Sequence, residues 1–426
     1  MRASARSARY VETDGPLSPQ AAIERKGANL NRPRPRSLAG ATILQLLPAL
    51  RDDEPGRAAL DSVRMLLQAG ARAIVAGADG PLAGTLRDSG GEFLPMPNDG
   101  FNPLRIQFNV RRLSDLIANE RIDVVHAHSA AAAWSAIAAV RRMPVFLLTS
   151  FPNRLPASSR PASLYRASLA RGDRVIAPSA FISRAVIERY GIEPDRVSVI
   201  PRAVDTDTFD PAVVTAARIA ALRRSWDVAP GSRLVLVPGS LAPGHGQMIA
   251  IKAARLLNGS GNNAIVFVFT GDGTAQPRYA GHLARRIRLN GLERGCRVIE
   301  PCPDLPAALA GADVVVLPTL EPPLSAAAAI AAQAMGRPVV ATDLGVLPET
   351  VLCPPRMREE LRTGWLVPPG DAGELARAIA SVLALNLTAY RALSARARQF
   401  AEFAFSPQSV AEASRRVYTS LLARDG

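Results

Sequence analysis

Two consecutive α/β domains, each wound around a mostly parallel sheet, are what this sequence predicts. Three observations carry the expectation. Short apolar runs alternate with longer amphipathic segments; the alternation lapses once near the middle and then restarts; and 426 residues are too many for one ordinary core.

The first series begins at Ala41. TILQLL (Thr42–Leu47), RAIVAG (Arg72–Gly77), DVVHAH (Asp123–His128), PVFLLT (Pro144–Thr149), RVIAPS (Arg174–Ser179) and VSVIP (Val197–Pro201) read as buried parallel strands. Between them, AALDSVRMLLQAG and SAFISRAVIERYG have helical periodicity, and each closes on a glycine that can cap it. The pattern stops at PRAVDTDTFDP (Pro201–Pro211), crosses a helical ARIAALRRSW segment and restarts at RLVLVPG (Arg233–Gly239). NAIVFVFTG, RVIEP, DVVVLPT and PVVATD follow, each paired with a helix, and the chain is helical from AGELARAIASVLAL to Leu422. Open sheets of this kind take ligands beyond the carboxyl ends of their strands, so the expected site is the cleft between the two domains.

Composition narrows the function classes. The formal charge of +14 is nearly all arginine, since Lys26 and Lys252 are the only lysines. Such basicity suits an anionic membrane surface or a phosphorylated substrate. Nucleic acid is not expected, because aromatics are sparse and do not interleave with arginine. Cys296, Cys302 and Cys353 lack metal-type or redox-type spacing, so they read as buried or incidental thiols of a reducing compartment. No apolar run reaches membrane-spanning length, and the N-terminus lacks the apolar segment of a signal peptide. A cytoplasmic protein touching the inner membrane surface is the expectation. Residues 1–40, with RPRPRS at Arg32–Ser37, read as a disordered basic tail or equally as a misassigned start.

The block ARGDRVIAPSAFISRAVIERYGIEPDRVSVIPRAVDTDTFDP resembles the end of the N-terminal domain in glycosyltransferase family 4. TGDG (Thr270–Gly273), DLPAALAGADVVVLPT (Asp304–Thr319), QAMGRPVVATDLGVLPETV (Gln333–Val351) and TGWLVPPGD (Thr363–Asp371) follow in family order and at family distances. The resemblance spans Ala41 to Leu422 and implies the GT-B fold, two Rossmann-like domains facing a cleft. It implies an N-terminal acceptor-side domain at 41–228, a nucleotide-sugar domain at 229–404, and a final helix at 405–426 crossing back to the first domain.

The family chemistry transfers sugar from a nucleotide diphosphate donor, without cofactor or metal, to an acceptor. Here the acceptor implied is a glycan or lipid of a bacterial envelope, such as a polysaccharide or lipopolysaccharide. Cations and a helix N-terminus must stabilise the charge growing on the leaving diphosphate. The family places an Arg and a Lys on the loop after the first strand of the second domain. This sequence reads PGSLAPGHGQ there, with Ser240 and His245 at the two positions. A pair of family glutamates separated by seven residues maps onto Pro323 and Ala331, and Glu321 lies two residues too early. A Gly-Gly turn in the first domain becomes Asp53-Glu54, two carboxylates where an anionic ligand would approach, and SFPN stands where a His is expected. Two readings follow: an active transferase of reduced efficiency, or an inactive homologue that scaffolds or regulates an active partner.

The remaining donor-side candidates are Gly239, Gly271, Asp272, Gly273, and the start of the alanine-rich helix at Ser325 and Ala326. Each has a plain alternative: Gly271-Asp272-Gly273 is a tight turn in either case, and His245 is a replacement cation or a solvent-facing loop residue. His128 is an acceptor-side candidate, whereas His126 reads as a packed strand-end residue. Glu349 is a retained acidic position or a cap for the helix that follows it, and Trp365 reads as core. Arg111, Arg112, Arg141 and Arg142 form a basic face for anionic lipid or ordinary solvated helix ends.

Overall fold

The computed structural model describes residues 37–96, 103–141, 143–153, 159–258, 265–271 and 276–423. Asp272, Gly273, Arg142 and the tail before Ser37 lie outside the described residues, as does the side chain of Glu54. The described residues form two compact units, the first drawn from 37–150, 167–173 and 418–423, and the second from 151–166 and 174–417.

All thirteen strands among the described residues belong to two sheets, and every described pairing is parallel. In chain order the first seven are β1 (Thr42–Ala49), β2 (Arg72–Ala78), β3 (Glu92–Pro95), β4 (Val124–Ala127), β5 (Phe146–Ser150), β6 (Arg174–Ala177) and β7 (Val197–Val199). They form one sheet in the order β3-β2-β1-β4-β5-β6-β7. The other six are β8 (Arg233–Pro238), β9 (Ile265–Thr270), β10 (Cys296–Ile299), β11 (Val314–Leu317), β12 (Val339–Thr342) and β13 (Gly364–Val367), in the order β10-β9-β8-β11-β12-β13. In both sheets the first strand of the series sits centrally and the order reverses beside it, which is the doubly wound, Rossmann-like arrangement.

Helices connect the strands. In the first series they are α1 (Glu54–Gln68), α2 (Ala83–Asp88), α3 (Pro103–Glu120), α4 (Ala130–Val140), α5 (Arg160–Arg166) and α6 (Ala180–Tyr190). After α7 (Ala216–Ser225), the second series uses α8 (Gln247–Asn258), α9 (Pro277–Leu289), α10 (Leu305–Gly311), α11 (Ala327–Ala334) and the single turn α12 (Leu347–Thr350). The chain ends in α13 (Ala372–Leu383), α14 (Leu387–Phe405) and α15 (Pro407–Leu422). Local chemistry sets many of these boundaries. Ser129 and Ser179 cap α4 and α6 with their hydroxyls, and Gly191 closes α6 in the left-handed conformation.

The central strands are apolar because helices cover both faces. Val235, Phe267, Phe269, Val314 and Val340 share one cluster with Ala250 and Ile379. Leu234, Leu236, Val315 and Val339 share another with Ala329, Ala331 and Met335. Trp365 packs at the edge of the first of these clusters, with the Arg362 guanidinium 4.6 Å above its ring. Two expectations need correction. VSVIP was expected as a buried strand, but β7 is the sheet edge and its three residues are partly or fully exposed. Strands β3 and β13 were not expected at all, being short segments with Glu, Pro or Gly at their ends. Among the described residues no single helix is long and apolar enough to cross a membrane.

Candidate functional site

The second sheet's first strand delivers the candidate donor loop. Strand β8 ends at Pro238 beside Thr270 of β9, and residues 239–246 lead into α8. Backbones crowd here. A Cβ on Gly246, at φ +73°, would stand 1.7 Å from the Pro318 carbonyl oxygen. One on Gly271 would stand 1.9 Å from the Gly239 carbonyl oxygen. Both glycines are therefore required by close approach of neighbouring chain. For Gly271 this favours the tight-turn reading over a special role toward a nucleotide.

Ser240 is exposed, and its carbonyl accepts a 2.9 Å hydrogen bond from Gln247 Nε2. Gln247 is fully buried at the start of α8, and the Tyr279 hydroxyl donates to its Oε1 at 3.3 Å. Sequence reasoning passed over Gln247; an amide on the core side of an apolar helix was the available signal. His245 sits in the 3-10 turn Pro243–His245 with its ring against Gly239. Partial burial lowers its pKa, and the nearby Glu321 carboxylate opposes that shift without cancelling it. The imidazole is thus largely neutral at pH 7, a poor stand-in for a permanent cation.

Glu321 is drawn onto this loop although sequence alignment put it two residues early. The Leu320 and Glu321 amides both donate to the Gly244 carbonyl, at 2.8 and 3.3 Å. The Glu321 carboxylate lies over Gly244: a Cβ there would meet its carbon at 2.7 Å. At the glutamate-pair positions, the Pro323 carbonyl accepts from the Val346 amide, whereas Ala331 is buried in the apolar core and offers nothing to a ligand. Helix α11 begins at Ala327, whose amide donates to the exposed Ser325 hydroxyl at 3.3 Å. Ala326, at the cap, is buried and has no side-chain acceptor. The positive end of that helix is retained in part.

The first unit holds a second polar cluster. Gln45 is buried on β1, and its Oε1 lies 2.9 Å from His128 Nε2. His126, fully enclosed on β4, places Nε2 2.7 Å from Ser150 Oγ and Nδ1 2.7 Å from the Tyr418 hydroxyl. The two imidazole rings are 3.9 Å apart, on the same face of the sheet as expected for i and i+2 positions. Burial lowers the pKa of both, that of His128 to about 4 and that of His126 well below its ordinary value. Both rings are neutral at physiological pH, and each gains partners that satisfy a buried polar group. His126 is the packed residue it was expected to be. His128 is half-buried and is occupied by Gln45. Ser150, which begins the SFPN segment, serves as a partner of His126.

Two carboxylates have local structural partners. Asp53 caps α1, accepting from the Gly56 amide at 3.1 Å, and Asp52 pairs with Arg57. Glu349 does not cap the helix that follows it. Its carboxylate accepts the Ala180 amide at 2.7 Å and the Phe181 amide as well, so it caps α6 from a distant part of the chain. Replacing Glu349 with Ala should cost about 1–3 kcal/mol, because two helix-start donors lose their acceptor. A urea midpoint unchanged from wild type would contradict that assignment. Of the basic candidates, Arg112 donates to the Pro95 carbonyl at 2.8 Å, and Arg111 and Arg141 are exposed. Among the described residues no three His, Cys, Asp or Glu side chains come together as a metal-binding group. The three cysteines are free; burial pushes the Cys296 thiol up to about 12.

Comparison with known proteins places this architecture. Residues 56–208 match Glycosyltransferase Family 4, and residues 232–384 match Glycosyl transferases group 1. A glycosyltransferase from Rickettsia africae superposes with TM-score 0.76 at 24% identity, covering 91% of this chain and 100% of that one. The Anabaena protein Alr3699/HepE, solved in complex with UDP, gives TM-score 0.70 at 21% identity, with 89% and 100% covered. These likenesses establish the fold, which is GT-B. Among curated relatives, D-inositol 3-phosphate glycosyltransferase 2 of Catenulispora acidiphila is 30% identical over 220 residues. That alignment covers 50% of this chain and 48% of the relative. The corresponding enzyme of Mycobacterium bovis is 32% identical over 215 residues, 50% of this chain and 41% of that one. The chain therefore spans about half the length of the curated relatives it matches. It belongs to the group 1 glycosyltransferases, with a family 4 N-terminal region.

Proposed function

We propose that this chain is a family 4-type transferase whose donor site works at reduced efficiency. It takes a nucleotide diphosphate sugar as donor and needs no metal. The observation that carries this reading is the β8–α8 loop. It keeps the close backbone approaches of a built site, yet bears Ser240 and a neutral His245 where the family uses two cations. Each charge-assisted bond to phosphate contributes about 1.5–3 kcal/mol, so losing both costs roughly 3–6 kcal/mol of transition-state stabilisation. That corresponds to a rate lower by on the order of 10² to 10⁴.

The acceptor we assign is an envelope glycan or lipid-linked sugar, handled on the cytoplasmic side with peripheral contact to anionic inner membrane through the arginine-rich surface. The curated relatives are named for D-inositol 3-phosphate, so that compound belongs among the acceptors tested. The second reading is a non-catalytic homologue that supports an active partner, favoured by the burial of Ala331 at a glutamate position. Incubating the full chain with radiolabelled UDP-glucose or GDP-mannose and acceptor mixtures separates the two. Slow transfer with retained anomeric configuration supports the first reading. Absence of both transfer and donor hydrolysis, at concentrations where the donor binds, supports the second.

A further inference from the structure

The two segments that build the donor loop, residues 239–246 and 320–325, contain no Lys or Arg, and their one full charge is Glu321. The backbone holds that residue beside the loop. Both the Leu320 and Glu321 amides are tied to the Gly244 carbonyl. The carboxylate lies flat on the glycine: a Cβ there would meet its two oxygens at 2.9 and 3.0 Å. A side chain at 244 would have to push this flexible, exposed carboxylate aside. The neighbouring His245 is close enough to feel the carboxylate electrostatically.

We propose that Glu321 sets the ligand charge this loop accepts: its carboxylate, seated on Gly244 beside His245, disfavours the diphosphate of a nucleotide. The inference rests on the donor-site reading above and adds a residue to it. Like charges brought within a few ångströms at a partly exposed site repel strongly enough to lower affinity on the order of tenfold. Two backbone hydrogen bonds keep the Glu321 Cα on the loop, so the charge stays within a side chain's length of Gly244 in any rotamer. A nucleoside, which has no phosphate, escapes the penalty. The arrangement therefore discriminates by charge rather than by shape.

The test is calorimetric titration of the full-length protein, as wild type, Glu321→Gln and Glu321→Ala, with UDP and with uridine. Thermal melts confirm that each variant folds. The proposal expects Glu321→Gln to bind UDP on the order of tenfold more tightly than wild type, with uridine affinity unchanged. Raising the salt concentration should narrow that difference. Equal UDP affinity in all three proteins overturns the proposal and leaves the donor site standing. Weaker UDP binding in both variants also overturns it, making Glu321 a donor contact instead. If none of the three binds UDP at millimolar concentration, the donor-site reading fails and the proposal fails with it.

Discussion

As pH falls from 6.5 toward 4, the protein is expected to lose about 3 kcal/mol of stability through His128 alone. Its folded pKa is lowered from 6.5 to about 4 by burial. In the unfolded chain the imidazole takes up a proton near its ordinary value, while the folded protein must stay neutral. The stability associated with this group is complete above pH 6.5 and lost progressively down to about 4, at roughly 1.4 kcal/mol per pH unit. His126 acts in the same direction, since burial and the neighbouring His128 both disfavour its charge. The groups facing the pair are Gln45, Ser150 and Tyr418, none of them an anion that could hold an imidazolium. Urea midpoints at pH 7, 6, 5 and 4.5 measure the slope. A His128→Gln variant should flatten it, and a wild-type midpoint constant between pH 6.5 and 5 would contradict the buried neutral assignment.

The fold was legible because its signal is local. Runs such as RLVLVPG and DVVVLPT are apolar on both faces, as strands covered by helices must be, and the Ser179 and Gly191 caps stand where the helix periodicity ends. What escaped was decided by partners far away in sequence. Tyr418 meets His126 across 292 positions, and Glu349 reaches Ala180 across 169. Neither residue differs from an ordinary helix residue when only its neighbours are considered. The β7 edge was misjudged for a related reason: a valine-rich run reads as buried, and only sheet order shows that β7 ends the sheet. Motif counting assigns the replaced donor positions to Ser240 and His245. It did not foresee that the early Glu321 reaches the loop, because backbone hydrogen bonds to Gly244 set that register.

Restoring charge to the proposed donor loop should raise nucleotide affinity by a large factor. Ser240→Arg with His245→Lys reinstates the two cations the family uses, each worth roughly 1.5–3 kcal/mol to a phosphate ligand. Both positions are exposed, so the combined gain should fall near the lower end, on the order of 10² in UDP affinity. Space permits the change: the Ser240 side chain faces solvent while Gln247 holds its carbonyl in place. The two substitutions should not contribute equally. A lysine at 245 stands beside Glu321 and will pair with it, so its effect should appear in full only when Glu321→Gln is added. Calorimetry with UDP on the single, double and triple variants resolves these contributions, and a double variant that binds no better than wild type would refute the mapping onto Ser240 and His245. Turnover should lag behind binding. Ala331 lies in the apolar core, where a restored glutamate would be a buried carboxylate without a partner. The tightened loop should therefore hold donor well and transfer it slowly, since two cations recover the phosphate contacts but not the glutamate pair.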